Sequence, residues 1–254
     1  MVVREMSADD AAWAAGLMEQ RRPVYARYSP VFWRPARDVA GVHARFLRRL
    51  IGSAGNVALR TDHGFVIGQR RPAEGFVDDF AVDATATWDA DGAVLLLAVA
   101  ERLAAADGAD QLRVVTAHAD VPKVSMLSRL SLRLAEQWWV REVRAAGPQA
   151  AAGRVERPGF SGILGPAPPV YDPGGPVLLA DRVAADADLA GIAGAAAAMG
   201  AVLAIVPAEP GSARSDGLHR LGWSVASDWY LGWPVTAAEP WRSGRPPPPG
   251  TAAG

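Results

Sequence analysis

The sequence predicts a mixed α/β (α+β) protein, a mostly antiparallel sheet flanked by helices, with a C-terminal partial repeat of the same arrangement. Three observations lead there. Strand-like runs at 56–60, 64–70 and 75–82 are joined by connections too short for a crossover, so they form an antiparallel meander. Helix and strand patterns then alternate from residue 91 to 143. The order strand, alanine-rich helix, strand, helix, long aromatic strand returns between residues 176 and 233.

Val2–Met6 alternates as a short strand, and Ser7 with Asp9 and Asp10 offers a cap and an acidic first turn for a helix to about Gln20. Residues 21–35, aromatic and broken by prolines, read as a structured loop or short helix. Asp38 opens a helix with Val39, Val42, Phe46, Leu47 and Leu50 on one face. After the meander, a helix from Asp91 to Ala106 stops at Asp107-Gly108. A strand at 111–117, a helix at 121–130 and a β-prone run at 132–143 follow. Residues 145–176, rich in Gly and Pro, read as a linker with a short strand at 160–164. Beyond it come a strand (176–183), a helix (186–199), a strand (202–206), a helix (212–221) and a closing strand (223–233). The implied domains are 1–146, a linker at 147–169, a half-domain at 170–236 and a disordered tail at 237–254.

The repeat is visible in the residues. Leu127, Arg129 and Leu130 recur as Leu218, Arg220 and Leu221, and Trp138-Trp139 as Trp229-Tyr230, each pair 91 residues apart. Asp107-Gly108-Ala109 recurs as Met199-Gly200-Ala201, 92 residues on. Self-similarity at a fixed spacing marks duplicated structural units. The second copy is expected to lack the first helices and strands and to pack against or extend the first sheet.

A net charge of −1 gives no field to recruit nucleic acid or an anionic membrane. Twenty-five arginines against one lysine, with abundant Ala, Gly and Pro, match a GC-rich bacterial genome. Cysteine is absent, which excludes disulfides and thiolate chemistry, and the four histidines form no spaced metal motif. The charged N-terminus is unlike a signal peptide, and the uncharged run 189–208 owes its neutrality to alanine and glycine. The expectation is a cytoplasmic protein without metal, nucleic acid or membrane partners, monomeric or homodimeric.

The stretch Glu74–Leu97 carries the functional signal. A strand feeding a helix through a glycine-containing turn exposes unpaired helical N–H groups that suit a phosphate. The turn, however, holds Asp89 and Asp91 and no basic residue.

The element order resembles that of the GNAT superfamily of acyl-CoA-dependent N-acyltransferases. Phe80-Ala81-Val82-Asp83-Ala84 resembles the family's fourth strand, L-x-V-x-P. Thr87-Trp88-Asp89-Ala90-Asp91-Gly92 stands where its R-G-x-G-x-G/A loop is expected, ahead of Leu95-Leu96. Leu127–Leu132, and better Leu218–Trp223, resembles L-Y-x-x-x-G-F. The likeness spans 1–146 as a whole domain and 170–235 as a partial one. It implies acetyl-CoA or another acyl-CoA as co-substrate, with no metal. The pantetheine arm would lie along Phe80, Ala81 and Val82, and the pyrophosphate on Thr87, Trp88, Asp89, Ala90, Asp91, Gly92 and Ala93; Asp120 stands where the family often has Asn. Only Gly92 keeps the loop pattern, and Leu127 and Leu218 replace the family's tyrosine.

The implied reaction is transfer of an acyl group to the amine of a small-molecule or peptide acceptor by direct attack in a ternary complex. Asp78 and Asp79 are the first candidates for taking the amine's proton, alternation placing one on each face of the sheet. The bland alternative has one facing solvent and the other paired to an arginine such as Arg113. Glu74 is a further carboxylate, and His118, just past the fifth strand, a minor candidate. Tyr25, Tyr28, Phe32 and Trp33 are expected to wall the acceptor site. On this reading Asp79→Asn should abolish turnover and spare the melting temperature. The competing reading is a degenerate relative that has lost acyl-CoA and serves as a binding module or runs another reaction.

Overall fold

The computed structural model describes residues 1–72, 74–107, 110–118, 120–185 and 187–234. The expected tail lies outside them. In chain order the elements are β1 (Arg4–Glu5), α1 (Ala11–Tyr28), α2 (Val39–Ile51), β2 (Val57–Arg60), β3 (Gly64–Arg70), β4 (Gly75–Val82), α3 (Ala93–Asp107), β5 (Leu112–Ala117), α4 (Val121–Arg129) and β6 (Arg133–Glu142). They continue as β7 (Gly153–Arg157), β8 (Phe160–Gly165), β9 (Val177–Val183), α5 (Leu189–Ala198), β10 (Leu203–Ala208), α6 (Ala213–Arg220) and β11 (Ser224–Gly232). No helix among them is long and apolar enough to cross a membrane. The 189–208 run divides into α5 and β10.

All eleven strands join one sheet, in the order β1-β2-β3-β4-β5-β11-β6-β10-β9-β8-β7. Only β4–β5 and β9–β10 are parallel pairs. The duplication is legible here as topology: β5 and β10 are equivalents, as are β6 and β11, and each half's last strand pairs inside the other half. β11 runs antiparallel to β5, β6 antiparallel to β10, and the two exchanged strands pair with each other. The mostly antiparallel sheet and the partial repeat are therefore as expected.

The linker is a correction. Residues 153–165 form the hairpin β7–β8, paired onto β9, so the second copy has counterparts of β2 and β3 and, among the described residues, lacks those of β1, α1 and α2. The strand expected at 160–164 is β8; glycine richness hid its partner β7 and the pairing onto β9. Gly162 packs with its Cα against the β9 backbone, where a Cβ would meet the Leu179 carbonyl at 2.3 Å. A second correction concerns residues 21–28, which continue α1 through Pro23 because Arg22 and Tyr25 are buried on its inner side.

On one face of the first half, α3 and α4 cover Val66, Val77, Phe80, Leu112 and Val114. On the other, α1 and α2 cover Phe65, Ile67 and Ala81. In the second half α5 and α6 pack on Leu178, Ala180, Ala204 and Val206.

Candidate functional site

With no helices corresponding to α1 and α2, the second half leaves one face of β9 and β10 open. Two loops cover it partly. The α1–α2 connection meets residues 166–173 through a bridge between Pro35 and Tyr171, with Ala36 N–H donating to the Val170 carbonyl at 3.1 Å and Asp172 N–H to the Arg34 carbonyl at 2.9 Å. Between these loops and the sheet lies a cavity of about 330 Å³. Its walls come from both halves: Phe32 and Trp33 from the loop, Trp138 from β6, Trp229 from β11, Leu179 and Ile205 from β9 and β10. Apolar lining with few polar groups is the usual make-up of a small-molecule site.

The main polar group is Asp78. In β4, Asp78 and Asp79 together lie opposite the single residue Ile67 of β3, between the pairs Val77–Gly68 and Phe80–Val66. That extra residue is a β-bulge, and it overturns the expectation that the two carboxylates face opposite sides. Asp78 lines the cavity under the α1–α2 loop, and Asp79 meets His43 of α2 on that same side, 2.7 Å from Nε2. The bulge recurs in β9, where Ala180 and Asp181 lie opposite Gly162.

Asp79 is buried, and its partner chain is fixed. Arg22 has only donors, so its NH2 donates to His43 Nδ1 at 2.9 Å. The His43 proton is then on Nε2 and is donated to Asp79. Arg22 itself is 2 % exposed, with Nε and NH1 unpartnered. Asp78 has no hydrogen bond or ion pair among the described residues. Its side chain is exposed toward the cavity, close beside the buried Asp79. Desolvation, then the neighbouring Asp79 charge, pushes its carboxyl up to about 6 against the opposing pull of Lys123, His43 and Arg71.

The other candidates divide. Phe32 and Trp33 line the cavity. Tyr25 is buried beside them, its ring 5.4 Å from Trp33 and its hydroxyl 3.4 Å from Asp120, whereas Tyr28 is 51 % exposed and outside the lining of this cavity. Arg113 binds Glu74 at 2.9 Å, not Asp78 or Asp79. His118 is outside the cavity lining; its Nδ1 lies 2.9 Å from Asp228, whose other oxygen accepts from Gln137.

The loop before α3 closes on itself. Thr87 Oγ1 accepts from Ala90 N–H at 3.1 Å, Asp91 Oδ2 from Thr87 N–H at 3.1 Å, and the Thr87 carbonyl from Asp91 and Gly92 N–H. Asp89 pairs with Arg129. Trp88 is buried edge-on to Phe80, ring centroids 4.8 Å apart. Gly92 is explained by that ring, since a Cβ there would lie 2.7 Å from it. Asp120 is buried in an ion pair with Arg21 at 2.5 Å.

This architecture has counterparts among solved structures. A GCN5-related N-acetyltransferase from Sphaerobacter thermophilus matches 92% of this chain and 96% of its own at TM-score 0.52 and 12% identity. A candidate acetyltransferase from Pyrococcus horikoshii matches 92% of this chain and 89% of its own at 0.56 and 9%. One from Thermoplasma acidophilum matches 91% and 98% at 0.52 and 10%. The chain has the GNAT fold. The likeness runs through both halves, and at these identities it is a likeness of fold alone. No family model and no curated protein matches the sequence.

Acyl-CoA, the group a GNAT fold suggests, does not fit the first half of this one. The loop amides of Thr87, Ala90, Asp91 and Gly92 have acceptors within the loop, and Asp91 opposes an anion there while Asp89 is paired with Arg129. Ala81 and Val82 are buried strand residues, and Phe80 carries Trp88 against it where an arm would run. Beyond the expected residues, the GNAT-fold site is built from His43, Arg22, Tyr171, Trp138 and Trp229. The paired tryptophans were visible as a repeat, but their placement depends on the exchange of β6 and β11, for which one sequence offers no sign.

Proposed function

We propose that the chain binds a small amine with an apolar body in the cavity between its halves, the ammonium resting on Asp78. One observation carries the reading: a carboxylate with no hydrogen bond or ion pair among the described residues lines an aromatic-walled cavity. A charge-assisted hydrogen bond there contributes about 1.5–3 kcal/mol, and the faces of Trp33, Trp138 and Trp229 suit both an alkyl or aryl body and a cation. Calorimetric titration with phenethylamine tests it. Wild type is expected to bind saturably, and Asp78→Asn about tenfold or more weakly. Absence of heat from a panel of aryl and alkyl amines would sink the reading.

A second reading, acyl transfer to that amine, is favoured by the Asp78 carboxyl at about 6, near the working range of a base that takes an ammonium proton. It needs an acyl donor held away from the loop before α3. Release of free thiol from acetyl-CoA when protein and amine are both present would support it; no release above the protein-free rate counts against it.

A further inference from the structure

Lys123 and Arg214 are 91 residues apart, the spacing of the repeat, and stand near the starts of α4 and α6. Each reaches into a gap between two diverging strands. In the first half β4 and β5 pair only from Gly75–Leu112 to Val77–Val114 and then part. In the second, β9 and β10 pair only from Val177–Leu203 to Leu179–Ile205 and then part. A splay of this kind leaves strand carbonyls facing each other without partners, and buried carbonyls need donors.

Both gaps have a donor of their own. Lys123 is 2 % exposed, and its Nζ donates to the carbonyl of Val115, the first β5 residue past the pairing, at 3.0 Å. On the β4 side it lies 5.1 Å from the Phe80 ring, with Trp88 at 5.3 Å. Arg214 spans its gap outright: NH2 donates to the Val183 carbonyl of β9 at 2.6 Å and NH1 to the Pro207 carbonyl of β10 at 3.5 Å. Lys123 is the chain's sole lysine, and its equivalent in the repeat is again a cation.

We infer that these two cations close the strand gaps of both halves from within, so that neither half admits the extended amide-bearing arm of an acyl-CoA between its strands. The donors such an arm would bring to the carbonyls are already supplied by the chain. The closure is separate from the loop's charge, because it acts on the arm and not on the pyrophosphate. Its test does not require amine binding in the cavity, which lies on the helix α1–α2 side of the sheet.

The whole protein is titrated calorimetrically with acetyl-CoA and, in a second cell, with pantetheine, which has no phosphate to meet Asp89 and Asp91. No saturable heat and no thermal shift at millimolar ligand are expected in either case. Saturable binding of pantetheine to wild type overturns the inference, whatever phenethylamine does. Hydrogen exchange gives a second measurement, on Arg214→Ala and on the milder Arg214→Lys, which keeps the charge without the two-pronged bridge. Peptides covering Val177–Val183 and Leu203–Ala208 should exchange about tenfold faster than in wild type. Unchanged exchange in the folded variants means the guanidinium does not hold the gap, and the inference falls.

Discussion

Asp78 and Asp79, adjacent in the chain, share one face of the sheet, but among the described residues only Asp79 has a hydrogen-bond partner, His43 at 2.7 Å. Asp79→Asn removes the charged acceptor of a buried hydrogen bond and should cost about 1–3 kcal/mol of stability. A lowered melting temperature checks it. This reverses the sequence-based expectation that the substitution spares stability, because the carboxylate taken for a free base is a buried structural partner.

Asp78 should respond to pH in the opposite direction from a salt-bridged acid. Its folded-state carboxyl is raised to about 6, so the native state holds the proton more tightly than the unfolded chain, and stability falls as pH rises from about 4 to about 6. Asp78→Asn removes that penalty. Its melting temperature should exceed that of wild type at pH 7.5, and the difference should shrink toward zero below pH 4. Scanning calorimetry of both proteins across that range reads the sign directly.

Asp10 provides the contrast. Burial works against its charge, but hydrogen bonds from Arg4, Ser7 and Arg60 outweigh it and hold the carboxyl well below the usual range. Its contribution is present above the unfolded value near 4 and is lost as pH falls below it. Asp10→Asn should lower the denaturant midpoint at pH 7, and the deficit should shrink as pH falls below about 4 while still being measurable at pH 2.

Thr87→Ala tests the self-closed loop. It deletes the oxygen that caps Ala90 N–H and should cost about 1 kcal/mol, read as a shift in urea midpoint. If the amides were held for a ligand instead, the substitution would leave stability unchanged.

Much of the architecture could be read from residue patterns, because period and turn chemistry are local. The meander at 56–82 and the Ala-rich helices at 93–107 and 189–198 fall where alternation and caps put them. The site was less legible. A bulge adds one residue to a strand without a compositional mark, so alternation separated Asp78 from Asp79 when the backbone brings them together. In the Gly-rich residues 153–165 only the second strand of the hairpin was legible, and Gly162 serves close packing against β9. Trp138 and Trp229 were recognisable as a repeat, and their stacking at 4.8 Å arises from long-range pairing of β6 with β11.

The exchange of β6 and β11 also bears on how the chain is made. During synthesis from the N-terminus, β5 has no neighbour on its far side until residues 224–232 emerge. Until then the nascent chain exposes an open strand edge, a template for pairing with other chains. A version ending after β6 keeps that edge permanently and should aggregate instead of folding as a half. The two copies, though duplicates, mature together, and β11, released long after β5, completes the sheet edge that β5 leaves open.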